Sequence, residues 1–258
     1  MTSARFQRIY FANASLEART MPDFTERVVA VTGAAGRLGR RLTRSLAQHG
    51  AIVAAVDRPD ALDDADRPDA ARAHPFDAAD EEAVRDGFAQ IRSAHGRLDA
   101  LVHTVGTWAG APLLDTSQEE FERLLRLNLT SAFLCFREAA RQMQRGGDDA
   151  GAPKENQGPA KRLVGIASGQ GADFGAARQY GYSTSKAGVV RLVEAASREL
   201  KGTGITTSAV APSTILFDEH PDREGVPAER LVALIEHVLS PAGDALNGAV
   251  LRAYGSAR

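Results

Sequence analysis

From Arg27 onward, short unbroken apolar runs alternate with longer amphipathic stretches. Val28–Thr32 predicts a buried strand and Leu38–His49 a helix. Ile52–Val56 predicts a second strand, Glu81–Ala94 a helix and Ala100–His103 a third strand. Glu119–Gln144 predicts one long helix, with Phe121, Leu124, Leu125, Leu127, Leu129 and Phe133 as its apolar positions. Leu163–Ala167 predicts a strand, Tyr182–Leu200 a helix and Ile205–Ala211 a strand. Ala228–Leu239 predicts a helix and Ala249–Ala253 the last strand. A strand that is apolar at every position is buried on both faces, so the alternation predicts a mostly parallel sheet with helices on both sides. Right-handed crossovers then favour a doubly wound α/β sheet.

Two segments break the rhythm. Residues 59–73 are rich in Asp and Ala, and residues 145–161 (RGGDDAGAPKENQGPAK) are polar, rich in Gly and Pro, and without periodicity. The second is expected to be a mobile surface loop. Residues 1–24 read as a poorly ordered N-terminal extension, and 25–258 as one catalytic domain. The extension carries Arg5, Arg8 and Arg19, which also suits an organellar leader, but Met21-Pro22 directly before a strand signal favours the plain extension.

Composition removes several function classes. The chain has 258 residues, 43% of them hydrophobic, which is ordinary for a globular protein with a sizeable core. Lys and Arg number 31 against 33 Asp and Glu, a net charge of −2, which argues against nucleic acid or an anionic membrane as partner. A lone cysteine, Cys135, excludes an internal disulfide and a Cys-rich zinc site, and no metal is expected. It sits at an expected core position. No apolar run is long enough to span a bilayer, and a cytoplasmic location is expected.

The first strand runs into Gly33-Ala34-Ala35-Gly36-Arg37-Leu38-Gly39, where a helix opens. Glycines permit a tight turn and close approach of a ligand, and the helix N-terminus offers N–H groups and partial positive charge to a pyrophosphate. The second strand ends at Asp57, placed to accept hydrogen bonds from an adenosine ribose, which favours NAD. Arg37 and Arg58 are placed to meet a 2′-phosphate, so NADP is the alternative; the clustered aspartates that follow would repel that phosphate.

Tyr182 and Lys186 lie four apart on a predicted helix and therefore share a face. Phenols normally titrate near pH 10, but an ammonium at about 4 Å favours the phenolate by roughly 4 kcal/mol at an effective dielectric of about 20, about three pKa units before desolvation. Tyrosine so tuned exchanges protons with a substrate oxygen near neutral pH. Ser168 closes a buried strand at the carboxyl end, where ligands bind in such sheets. Asn128 is a poor helix former amid Leu127 and Leu129, which marks it for a specific task.

With these residues in order, the chain resembles the classical short-chain dehydrogenase/reductase family from about residue 26 to the C-terminus. Thr32-Gly33 and Gly39 resemble its cofactor loop, with Leu38 beside them, and Asp77 resembles its adenine-contacting Asp. Asn128 matches its proton-relay Asn, where a water would refill the tyrosine. Ser168 matches its substrate-orienting Ser, and Tyr182 and Lys186 its catalytic pair, of which both also touch the cofactor. Val105 and Gly106 follow its fourth strand, and Pro212, Thr214 and Ile215 occupy its nicotinamide-contacting loop. The resemblance implies a Rossmann-type fold and an NAD(P)-dependent oxidoreductase that interconverts a carbonyl and an alcohol. It also implies a homodimer or homotetramer paired through the helices 119–144 and 182–200.

The chain departs from the family pattern at several places. Arg37 replaces the loop's middle glycine, with Gly36 one place early. His103-Thr104-Val105-Gly106 replaces Asn-Asn-Ala-Gly, Ser213 follows Pro212 in place of Gly, and Phe217 replaces the usual Thr. Residues 106–110 (GTWAG) are similar to a segment of dihydropteridine reductases, which opens a pterin reductase-like alternative; loop packing is the stronger expectation for Trp108. His103 is expected to be a structural strand-end residue. The short stretch 212–227 suggests an open or polar-rimmed cleft. A dinucleotide-binding regulatory protein without turnover is the reading from a different class.

Overall fold

The computed structural model describes residues 22–62, 71–145, 161–217 and 223–255. Most of the expected extension, most of the 145–161 loop, residues 63–70 and residues 218–222 lie outside the described residues. Phe24, at the end of the expected extension, is already fully buried.

The strands are β1 (Val28–Thr32), β2 (Ile52–Asp57), β3 (Ala71–Pro75), β4 (Ala100–His103), β5 (Lys161–Ile166), β6 (Ile205–Pro212), the short β7 (Ile215–Leu216) and β8 (Val226–Pro227), and β9 (Val250–Ala253). The helices are α1 (Arg37–Gln48), α2 (Glu81–His95), α3 (Gln118–Leu125), α4 (Ser131–Arg145), α5 (Gly169–Ala172), α6 (Tyr180–Glu199) and α7 (Ala228–Leu239). Seven strands form one parallel sheet in the order β3-β2-β1-β4-β5-β6-β9, and β7 pairs with β8. The chain is therefore a doubly wound, Rossmann-type α/β fold.

Successive β1 residues feed opposite faces, which explains why the whole run is apolar. Val28 and Ala30 pack in the layer under α2, α4 and α6, with Phe88, Cys135 and Val189. Val29 and Val31 pack in the layer under α1 and α7, with Leu42, Leu46 and Ile235. The strand order reverses between β1 and β4, so the loops after these two strands diverge and leave a crevice at the carboxyl edge.

Three features differ from the sequence expectation. The edge strand β3 was not predicted: Ala71–Pro75 is covered on one side only, and its Arg, His and Pro mask any apolar run. The predicted long helix 119–144 is broken by a π turn at Arg126–Thr130. The four-residue α5 lies in a stretch with no helical period. Among the described residues, no helix is long and apolar enough to cross a membrane.

Candidate active site

The crevice is built from strand ends. At the end of β1, Gly33 has φ +77°, and a Cβ there would lie 2.6 Å from Thr104 Oγ1. Thr104 Oγ1 donates to the Thr32 carbonyl at 2.8 Å, which ties the β1 and β4 exits together. Glycine is also required at 39, where a Cβ would come within 2.0 Å of the Gly33 carbonyl oxygen. That close approach seats α1 against the turn. No side chain caps the N-terminus of α1, whereas Asp80 caps α2 and Ser117 caps α3. Its first N–H groups remain oriented to receive an anion.

Asp57 closes β2. Its carboxylate accepts from the backbone N–H of Ala35 at 3.0 Å and of Arg58 at 2.9 Å. A carboxylate has about four acceptor sites, so capacity is left for ribose hydroxyls. Arg58 pairs with Asp60 at 3.5 Å on the surface. The guanidinium of Arg37 lies 4.2 Å from the centre of the Phe217 ring. Asp77 accepts from Ala79 N–H at 2.8 Å and faces Arg126 at 3.8 Å. Val105 packs against the core layer under α4 and α6.

The catalytic candidates converge further along. A cavity of about 900 Å³ is lined by Leu38, Gly106, Ser168, Tyr182, Lys186, Pro212, Thr214 and Ile215 among others. Asp57, Asp77 and the glycine turn lie outside it, in the part of the crevice toward β2 and β3. The Lys186 ammonium is buried and donates to the Ile166 carbonyl at 2.8 Å. Burial pushes its pKa down to about 8, since the neutral amine is easier to keep out of water. At Gly106 a Cβ would stand 3.0 Å from Asn128 Oδ1 and 3.1 Å from Lys186 Nζ, so glycine keeps the approach to both atoms open.

Tyr182 corrects one expectation. Its phenol is pushed above its ordinary value by burial, against a smaller lowering by the hydrogen bond with Ser168. Desolvation dominates at the phenol, and the Lys186 ammonium donates to the Ile166 carbonyl. The resting group is a neutral phenol, a proton donor.

Asn128 sits in the π turn and is fully buried. Its Oδ1 accepts from Thr107 N–H at 2.7 Å, and its Nδ2 donates to the Thr107 carbonyl at 3.0 Å and to Ser185 Oγ at 3.0 Å. Both amide hydrogens are occupied, so the side chain braces the segment after β4 against α6. A π turn widens the helix locally, and such turns concentrate at functional sites.

His103 is buried. Ser131 Oγ donates to the Leu127 carbonyl at 2.7 Å, so it accepts from His103 Nε2–H at 3.1 Å. Nδ1 then accepts from Thr32 Oγ1 at 2.8 Å. Burial, with the Lys186 charge adding to it, pushes the ring down to about 3. The neutral imidazole spans from β1 to α4.

Of the two readings open for Trp108, a flat aromatic at the cleft that could stack on a planar substrate and loop packing, the stronger expectation of loop packing is not what the structure shows, since the ring is 59% exposed and lines the cavity. Sequence reasoning missed two parts of the wall. Phe174 and Tyr254 also line it. No periodicity or spacing signals residues brought in by α5 and the C-terminus. With Phe217 they give the described part of the cleft an aromatic rim; Asp218, Glu219, His220 and Asp222, on which the polar-rimmed expectation rested, lie outside the described residues.

The short chain dehydrogenase family profile matches residues 27–221. The 3-oxoacyl-[acyl-carrier-protein] reductase MabA of Mycobacterium tuberculosis is 29% identical over 250 residues, covering 91% of this chain and 94% of that protein. The cis-4-hydroxycyclohexanecarboxylate dehydrogenase of Sinomonas cyclohexanicum is 32% identical, covering 80% and 79%. The crystal structure of an NAD+-bound xylitol dehydrogenase superposes with a TM-score of 0.77 at 25% identity, covering 89% and 98%. The chain belongs to the short-chain dehydrogenase family and is an NAD(P)-dependent oxidoreductase.

His103 makes folding pH-dependent. Its folded value of about 3 lies below the unfolded value of 6.5, so folding requires the neutral ring. Its contribution is complete above pH 6.5 and is lost as pH falls toward 3. One such group removes about 2 kcal/mol of unfolding free energy between pH 7.5 and pH 5. Urea unfolding at both pH values is expected to show this loss in the wild type, and His103→Asn to lack that part of it. Equal slopes would refute the neutral assignment.

Proposed function

We propose that Tyr182 is the general acid and base of a carbonyl–alcohol interconversion at the Ser168–Tyr182–Lys186 end of the cleft. The observation that carries this reading is the convergence of Ser168, Tyr182 and the buried Lys186 on one cavity at the carboxyl end of the sheet. The uncapped α1 N-terminus, the spare acceptors of Asp57 and the opening kept by Gly106 suit a dinucleotide. When bound, its nicotinamide supplies or takes the hydride.

In reduction, Tyr182 O–H transfers its proton to the carbonyl oxygen as that oxygen gains charge. Ser168 holds the same oxygen and fixes its distance from the phenol. The phenolate left behind is stabilised by the Lys186 cation. In oxidation the phenolate accepts the alcohol proton. Lys186 would also hold the nicotinamide ribose, and Gly106 leaves its ammonium uncovered by a side chain. Asn128 positions the segment at Thr107 and, through Ser185, the helix that carries Tyr182. Gly33, Leu38, Gly39 and Asp77 take the adenosine and pyrophosphate, and Val105, Pro212, Thr214 and Ile215 the nicotinamide side.

NAD is the preferred cofactor in this reading. Asp57 would meet a 2′-phosphate head-on, while Arg58 leans on Asp60 and Arg37 on Phe217. A cytoplasmic homodimer or homotetramer, paired through α4 and α6, completes the reading; on α4, Phe133 is 44% exposed.

Tyr182→Phe is expected to lower turnover by about 10²–10⁴-fold, the usual cost of losing an acid–base group, with the Kd for cofactor little changed. Near-normal turnover would exclude the assigned role. In a fluorescence titration of NAD and NADP, the wild type is expected to bind NAD more tightly. Asp57→Ala should lose NAD affinity and gain NADP affinity. Tighter NADP binding by the wild type would reverse the assignment.

A further inference from the structure

The cleft also carries information about the shape and charge of its substrate. Trp108 and Phe174 are each 59% exposed, and both face the same cavity as Phe217 and Tyr254. Single exposed aromatics are ordinary, but four lining one cavity are of the kind that marks a binding site.

Their polar atoms are already engaged within the protein. The Trp108 indole N–H donates to Gln179 Oε1 at 3.0 Å, which fixes the ring and leaves its faces as contact surface. The Tyr254 hydroxyl donates to Asp173, and Asp173 is held in turn by Arg252 at 2.6 Å. A Cβ on Gly169 would stand 2.8 Å from the Tyr254 ring, so that ring is packed into the wall. Phe217 carries two guanidinium groups, Arg37 at 4.2 Å and Arg41 at 5.2 Å from its centre. Trp108, Tyr254 and Phe217 are therefore oriented before a ligand arrives, which lowers the entropic cost of binding.

Charge narrows the ligand further. Among the described residues lining the cavity, Lys186 is the single cation and no carboxylate appears. The guanidinium groups of Arg37 and Arg41 are stacked on Phe217, and among the described residues lining the cavity none beside Trp108 offers a counter-charge to a substrate carboxylate or phosphate. Ser168, Tyr182 and Lys186 supply the cavity's reactive polar groups, and Trp108, Phe174, Phe217 and Tyr254 supply aromatic wall.

We infer that the substrate is an uncharged ketone, or its alcohol, on a flat or alicyclic ring system that stacks against Trp108 and Phe174. This rests on the carbonyl-reductase reading above, and its test separates the two. Trp108 is the sole tryptophan of the chain, so its emission reports occupancy of the cleft without any turnover. The full chain with saturating NADH is titrated with 2-tetralone, with 2-decanone as a linear ketone of equal carbon number, and with anionic acetoacetate.

The expected result is saturable quenching by 2-tetralone and a kcat/KM at least tenfold above that of the other two. Phe174→Ala should raise the KM for 2-tetralone about tenfold with a much smaller change in kcat, and Phe174→Leu should recover part of the loss. No quenching by 2-tetralone, or a preference for 2-decanone or acetoacetate, would overturn the inference. Quenching by 2-tetralone without oxidation of NADH would support the ring site and count against the reaction assigned to it.

Discussion

A lysine buried without a carboxylate governs the arrangement of this site. The Lys186 ammonium has the Ile166 carbonyl as its hydrogen-bond partner, and desolvation lowers its pKa to about 8. A buried cation costs free energy unless its surroundings supply dipoles and exclude competing charge. The end of β5 supplies the carbonyl. His103, close enough to feel the cation, stays neutral. Gly106 withholds a side chain that would crowd the ammonium. What remains is a localised positive charge facing the crevice, with a phenol from the preceding turn of the same helix beside it.

The braces around that charge come from the end of β4 and from the π turn between α3 and α4. Thr104 binds the β1 exit, His103 joins β1 to α4, and Asn128 joins the segment at Thr107 to α6. Because His103 and Asn128 are buried, their hydrogen bonds are unscreened and their loss would leave unsatisfied partners. The same rigidity reaches the aromatic wall, where Asp173 ties the C-terminal Arg252 and Tyr254 to the segment after β5. Chemistry and substrate recognition thus share one frame.

Features set by local periodicity were legible in the chain: the apolar strands, the glycine turn, and the four-residue step from Tyr182 to Lys186. Features set by tertiary contact were not. β3 exists because β2 offers it an edge, although ARAHP has little strand character of its own. The π turn at Asn128 lies in a stretch whose apolar spacing reads as continuous helix. The direction of the Tyr182 shift depends on how deeply the phenol is buried, which spacing does not encode. Trp108 in a Gly-rich loop reads as packing until Gln179 is found holding it at the cavity wall.

The state of Lys186 is open to direct measurement. The chain has four lysines, Lys154, Lys161, Lys186 and Lys201, so a protein labelled with ¹³C at lysine Cε gives four side-chain resonances. Lys186→Met assigns the one of interest by its disappearance. A pH titration of the cofactor-free protein should show that resonance moving with a midpoint near 8, below the ordinary lysine value of 10.5. A midpoint at or above 10.5 would mean the ammonium is solvated or paired with an anion, and the account of the site as built around an unpaired buried cation would be wrong.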